Sequence, residues 1–161
     1  MAETEVRTDG IDQLLRSWDA LLKAFPAMKA ELLDKMGQQM LSDVQQEIGG
    51  RGNVAGWQER HVGSKLGYVA VRPKANTYQT TQSGKRYAVG YVTNAIENGH
   101  RNRKPQPTNR EGYHYTKGRN KTAAAAGRHF YAAVRGRLGT FGKAELERLA
   151  AEIARRLEGA A

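Results

Sequence analysis

Glu59, Arg60 and His61 form the one run in this sequence where a carboxylate, a guanidinium and an imidazole stand side by side. These are the materials of general acid and base catalysis. Around them the supply is thin. Between Arg51 and Leu138 the only acids are Glu59, Glu97 and Glu111, too sparse for a two-metal nuclease, which holds its ions with several carboxylates. The four histidines, His61, His100, His114 and His129, lack both the His-Glu-x-x-His spacing of a zinc site and a close His/Asp partner that would mark a triad. The chain has no cysteine, which excludes disulfides, thiolate metal sites, iron-sulfur clusters and cysteine nucleophiles. Gly50, Gly52 and Ala55 fit a permissive dinucleotide-binding fingerprint, but that motif works only between a strand and a following helix, and here a helical pattern comes first. The expectation is a protein that is not an enzyme, with no cofactor and no metal.

Charge is the stronger signal. The chain carries a net +10, unevenly spread: residues 1–50 hold 5 basic and 9 acidic side chains, residues 51–138 hold 17 and 3, and residues 139–161 hold 4 and 4. A middle of net +14 attracts polyanions, either nucleic acid or an acidic protein surface, through Coulomb forces that weaken with salt. Arg101, Arg103, Lys104, Arg110, Lys117, Arg119 and Lys121 stand together in this middle against the single acid Glu111, and they are the candidate contacts for a partner or for DNA. The sequence has no Cys/His finger, no aromatic-glycine RNA signature and no basic heptad region, and Tyr113 and Tyr115 are too few for a stacking platform.

The elements that must position these residues follow from hydrophobic spacing. Ile11, Leu14, Leu15, Trp18, Leu21, Leu22 and Phe25 recur every three or four residues and predict an amphipathic helix capped by Asp9. Pro26 suits the first turn of a second helix, whose apolar row from Met28 through Val44 ends at Ile48 before Gly49-Gly50. Residues 49–56 form a flexible glycine-rich loop. Leu66–Val71 and Asn76–Thr81 are expected as antiparallel strands with a turn between them. Lys85–Asn98 is expected as strand turning into a short helix that ends at Asn98-Gly99, with Ile96 inside and Glu97 near the surface. Residues 100–126, with prolines at 105 and 107 and no apolar period, are expected as a basic mobile arm or loop with a small β-tip at Tyr113–Tyr115. Two helices close the chain, one through Phe130, Val134 and Leu138, the other from Phe141 to Leu157. The 161 residues suffice for a single α+β domain over 1–161, made of N-terminal helices, a small antiparallel β-sheet and a C-terminal amphipathic helix packed on the sheet. No apolar run approaches the ~20 residues of a membrane span, and the acidic start Met1–Asp9 has no signal-peptide core. No membrane contact is expected. The glycosylation sequon at Asn120 is discounted for the same reason.

Tyr87-Ala88, then Ile96-Glu97-Asn98-Gly99-His100, then Phe130 with Ala132 and Ala133, then the helix Leu146–Leu157, follow one another in an order that resembles the head-tail joining, or tail completion, proteins of long-tailed bacteriophages. The likeness runs from about Leu32 onward. It departs from the family at Asn98, where an aromatic is usual, and after Phe130, where a proline is missing. The resemblance implies a virion structural protein of the neck, made in the host bacterial cytoplasm. Such a protein acts by assembling a ring of its own copies, a hexamer by the family pattern, between the head connector and the tail tube or tail terminator proteins. DNA would pass through its lumen. Glu97 is then expected as a capping or turn carboxylate or as an intersubunit salt bridge, and Gly99 as a turn residue or an intersubunit contact.

Overall fold

The computed structural model describes residues 9–50, 52–82, 84–100 and 124–158. The fold is α+β: two long helices lie antiparallel, with short strand ribbons and a third helix packed around one end.

A single helix, α1 (Asp9–Ile48), replaces the two expected at the N-terminus, and Pro26 lies inside it. Proline removes one N–H from the helical ladder and crowds the preceding turn. The apolar rows on either side of it nevertheless stay in phase, through Phe25, Met28 and Leu32. A helix that continues therefore keeps one face toward the C-terminal helix, while Pro26 stays exposed to water. Gly49 closes α1 by donating its N–H to the carbonyls of Gln45 (3.2 Å) and Gln46 (3.1 Å).

The second half of the glycine-rich connection is anchored. Val54 and Ala55 pack against the core, Gln45 Nε2 donates to the Ala55 carbonyl, and Ala55–Trp57 forms a 3-10 turn. The chain then enters β1 (Gln58–Val62), which pairs antiparallel with β2 (Val69–Pro73) so that Val62 faces Val69. Strand β3 (Tyr78–Thr80) pairs with β4 (Arg86–Ala88). Helix α2 (Val89–Asn98) follows directly, as the strand-to-helix reading of Lys85–Asn98 expects. Finally β5 (Gly99–His100) pairs with β6 (Ala125–Ala126). These are three separate two-stranded ribbons. The expected pairing of Leu66–Val71 with Asn76–Thr81 does not occur. Lys65 and Leu66 sit at positive φ in a tight turn, and the true partner of β2 is the polar run Gln-Glu-Arg-His-Val. The ribbon β1–β2 lies across α1 at Gly37, where any side chain would collide with Arg60 Cγ (2.7 Å) and Val69 Cγ2 (2.6 Å).

The C-terminus is likewise one helix, α3 (Phe130–Leu157), rather than two. Gly136, Gly139 and Gly142 lower its intrinsic propensity. Packing compensates, because Gly142 is buried with Met36 Cε only 3.4 Å from where a β-carbon would sit. Val44 and Ile48 from α1 and Phe130 and Val134 from α3 form the core, with Val71, Ile96, Tyr131 and Leu138 packed around them. Burying each such side chain stabilises the fold by about 1.5–3 kcal/mol. The C-terminal helix therefore runs along the N-terminal helix and touches the strands at its first turn. Among the described residues no helix is long and apolar enough to cross a membrane.

Candidate functional site

The turn Ile96–His100 joins α2, the β5–β6 ribbon and the start of α3. Gly99 has φ +72, a left-handed conformation that favours glycine, and a β-carbon there would strike the Ala125 carbonyl and lie 2.6 Å from Gly127 N. That close approach lets β5 pair with β6. It also lets Arg128 N–H donate to the Ile96 carbonyl (2.9 Å) and His129 N–H to the Glu97 carbonyl (3.1 Å).

Glu97 is buried, contrary to the expectation that it lies near the surface. Its carboxylate accepts the backbone N–H of Tyr131 at 3.2 Å and that of Ala132 at 3.4 Å. The first turn of a helix presents N–H groups with no partner inside the helix, and a carboxylate there is favoured by the helix dipole. The residue before α3, His129, supplies no side-chain cap. Glu97 therefore caps α3 from the end of α2, a capping role within the chain.

Tyr131 turns the same junction toward the strands. Its hydroxyl donates to Gln58 Oε1. The amide of Gln58, itself buried, donates to the Val54 carbonyl (2.8 Å) and to Thr93 Oγ1 (3.5 Å). Burial first, and the Glu97 charge second, push the Tyr131 hydroxyl up to about 12. Arg128 Nη2 donates to the Ile48 carbonyl at 2.8 Å, satisfying the end of α1. Sequence reading did not find Gln58, Thr93, Arg128 or Tyr131, whose polar side chains carry no periodic signal.

Beside the junction lies an apolar cleft of about 450 Å³ between α2 and the β5–β6 ribbon. Tyr87, Tyr91, Val92 and Ile96 line it and His100 stands at its edge. Tyr91 is exposed. The strands of that ribbon are the two ends of the basic segment. Arg101, Arg103, Lys104, Arg110, Lys117, Arg119 and Lys121, together with the expected tip at Tyr113–Tyr115, lie outside the described residues.

Glu59, Arg60 and His61 do not converge. Successive residues of a strand face opposite sides. Arg60 turns to α1, where its guanidinium bonds the Asp34 carboxylate and donates to the Asp34 carbonyl at 3.2 Å. Glu59 accepts from Arg72 at 3.3 Å, and His61 lies against the ring of Tyr68. Each has a local structural partner. Among the described residues no group of three or more His, Asp or Glu is placed to hold a metal ion.

Among the described residues two further apolar surfaces are exposed. One is the N-terminal part of α1, where Ile11, Leu14, Leu15, Trp18, Leu22 and Phe25 are 41–60% exposed. The other lies on α3 at Gly139 and Leu146, both exposed. Comparison of the chain with protein-family models, with curated proteins and with solved structures finds no match.

Proposed function

We propose that this chain is a virion structural protein of the phage neck, made in the bacterial cytoplasm, that assembles as a ring between the head connector and the tail tube without an enzymatic step. One observation supports this reading above the others. Three of the four sequence pieces that resemble tail completion proteins, Tyr87-Ala88, Ile96–His100 and Phe130–Ala133, come together at one junction, while the fourth, Leu146–Leu157, lies further along α3. There the Glu97 carboxylate caps the helix that Phe130 begins, and Tyr87 lines the cleft that Ile96 floors. Residues far apart in sequence are thus accounted for by one local structure. That is what a shared structural motif requires, whereas coincidence of short motifs does not.

In this reading the junction is a platform that presents an apolar cleft to a partner. The cleft supplies area for a partner, and the basic residues supply attraction to an acidic ring surface or to DNA in the lumen. The uncovered face of α3 is a second surface available for contact with neighbouring copies. The test is electron microscopy of particles from the source phage with this gene deleted. Filled heads beside unattached tails support the neck role, and normal infectious particles refute it.

A second reading, a basic nucleic-acid-binding module, is favoured by the net +14 of residues 51–138. It requires that replacing Arg101, Arg103 and Lys104 with alanine weaken duplex binding and flatten its salt dependence by about 0.9 in slope per lost phosphate contact. Salt-insensitive or unchanged binding refutes it.

A further inference from the structure

The N-terminal part of α1 extends past the helix that covers the rest of it. Gly142 of α3 lies against Met36, and Arg156, one residue before the end of α3, reaches the level of Met28. Leu21 is the last buried hydrophobic residue toward the α1 N-terminus. The twelve residues Asp9–Ala20 extend beyond this by about 18 Å at 1.5 Å per residue.

This segment is not a polar extension. Ile11, Leu14, Trp18, Leu22 and Phe25 are 60, 53, 49, 59 and 41% exposed, and at about 100° per residue all five fall on one face less than a quarter turn wide. With Leu15 beside them they expose apolar area on the order of 600 Å², since a large side chain presents roughly 200 Å². A stable interface takes about 800 Å² from each partner, apolar centre and polar rim together. The patch is therefore the right size for one helix to cover. It also continues the row by which Met28 and Leu32 meet α3.

The spacing says which helix. From Ile11 to Phe25 the steps are 3, 4, 4 and 3, the same in both directions. A two-fold axis through Trp18 therefore lays Ile11 on Phe25 of a second copy, Leu14 on Leu22, and Trp18 on Trp18. Antiparallel helices interdigitate when large residues meet in this way, and a two-fold contact needs a patch complementary to itself. A heterologous partner imposes no such symmetry on the spacing.

We propose that two copies of this chain pair antiparallel through residues 11–25 of α1, about a two-fold axis at Trp18. The pairing does not depend on the neck reading. A two-fold contact closes on itself, so ring contacts would use other surfaces.

The absence of native cysteine makes the test direct. Trp18→Cys in the full chain should form a disulfide-linked dimer under mild oxidation, because the axis brings two copies of residue 18 within bonding range. A mixture of Leu14→Cys and Leu22→Cys chains should cross-link to each other. Arg16→Cys, roughly 200° round the helix from Trp18, should not. In sedimentation the wild type should show at least twice the 17.8 kDa chain mass, and Trp18→Asp should halve the mass of the two-fold pair. Because Trp18 is half exposed, retained helical circular dichroism in Trp18→Asp separates lost pairing from lost folding. A monomeric wild type overturns the proposal. So does a larger species in which Trp18→Cys fails to cross-link, or one in which Leu14→Cys joins Leu146→Cys on the exposed face of α3.

Discussion

The carboxylate of Glu97 accepts the backbone N–H of Tyr131 at 3.2 Å, across 34 residues of sequence. This bond ties the end of α2 to the start of α3. Together with the two-residue ribbon β5–β6, it holds the two ends of the basic segment side by side. One turn carboxylate thus connects helix capping, the position of the core residue Phe130 and the pairing of Gly99–His100 with Ala125–Ala126.

Removing that carboxylate should be felt globally. Glu97→Ala leaves the Tyr131 and Ala132 N–H groups without their acceptor and should cost about 2 kcal/mol, the range of a hydrogen bond to a charged group. Glu97→Gln keeps one acceptor oxygen for the nearer N–H, of Tyr131, and loses the charge and the longer bond to Ala132, so about 1 kcal/mol is expected. Urea unfolding midpoints at unchanged slope measure both. A Glu97→Gln variant as stable as the wild type would remove the helix-dipole contribution from the account.

Two glycine substitutions should have opposite signs. Gly99→Ala places a β-carbon against the Ala125 carbonyl at φ +72 and should destabilise by more than about 2 kcal/mol. Gly136→Ala meets nothing within 4 Å inside α3 and should stabilise by about 0.5–1 kcal/mol. Thermal midpoints of the two variants, measured side by side, check the contrast.

Tyr131 should make the fold sensitive to alkali. Its hydroxyl is raised from 10.0 to about 12 in the folded chain, by burial first and Glu97 second. The folded state thus keeps a proton that the unfolded state has already released. The stability contribution is complete below pH 10 and is lost as pH rises toward 12. Stability against pH, followed with phenolate absorbance, should fall in that window. Tyr131→Phe should remove this component while lowering stability at neutral pH, because Gln58 Oε1 loses its donor.

The adjacent pair Glu59 and Arg60 should separate by more than their spacing suggests. Glu59→Ala loses a partly exposed ion pair with Arg72 and should change stability by no more than about 0.5 kcal/mol. Arg60→Ala loses the link to Asp34 and the stem packed over Gly37, and should cost about 1–2 kcal/mol. Equal effects measured by denaturant unfolding would mean that β1 is not fastened to α1 through Arg60.

What the sequence by itself determined is what depends on near neighbours. The apolar rows of α1 and α3, the passage from strand to helix at Ala88-Val89 and the turn at Asn98-Gly99 all follow from spacing over a few residues, because backbone geometry repeats over that distance. Tertiary structure decided whatever depends on distant partners. Pro26 and the restart of apolar spacing at Phe141 read locally as helix boundaries, yet α1 and α3 run through them, α1 with its apolar rows in phase across Pro26 and α3 with Gly142 packed on Met36. Gln58–Val62 carries no strand pattern, since its buried glutamine is satisfied by Val54, Thr93 and Tyr131 and its arginine by Asp34. Glu97 reads locally as a capping or turn carboxylate near the surface, and its burial is not legible because the N–H groups it accepts from lie beyond 30 intervening residues. Burial of a polar side chain depends on a hydrogen-bond partner brought there by the fold, and no local spacing records where that partner will be.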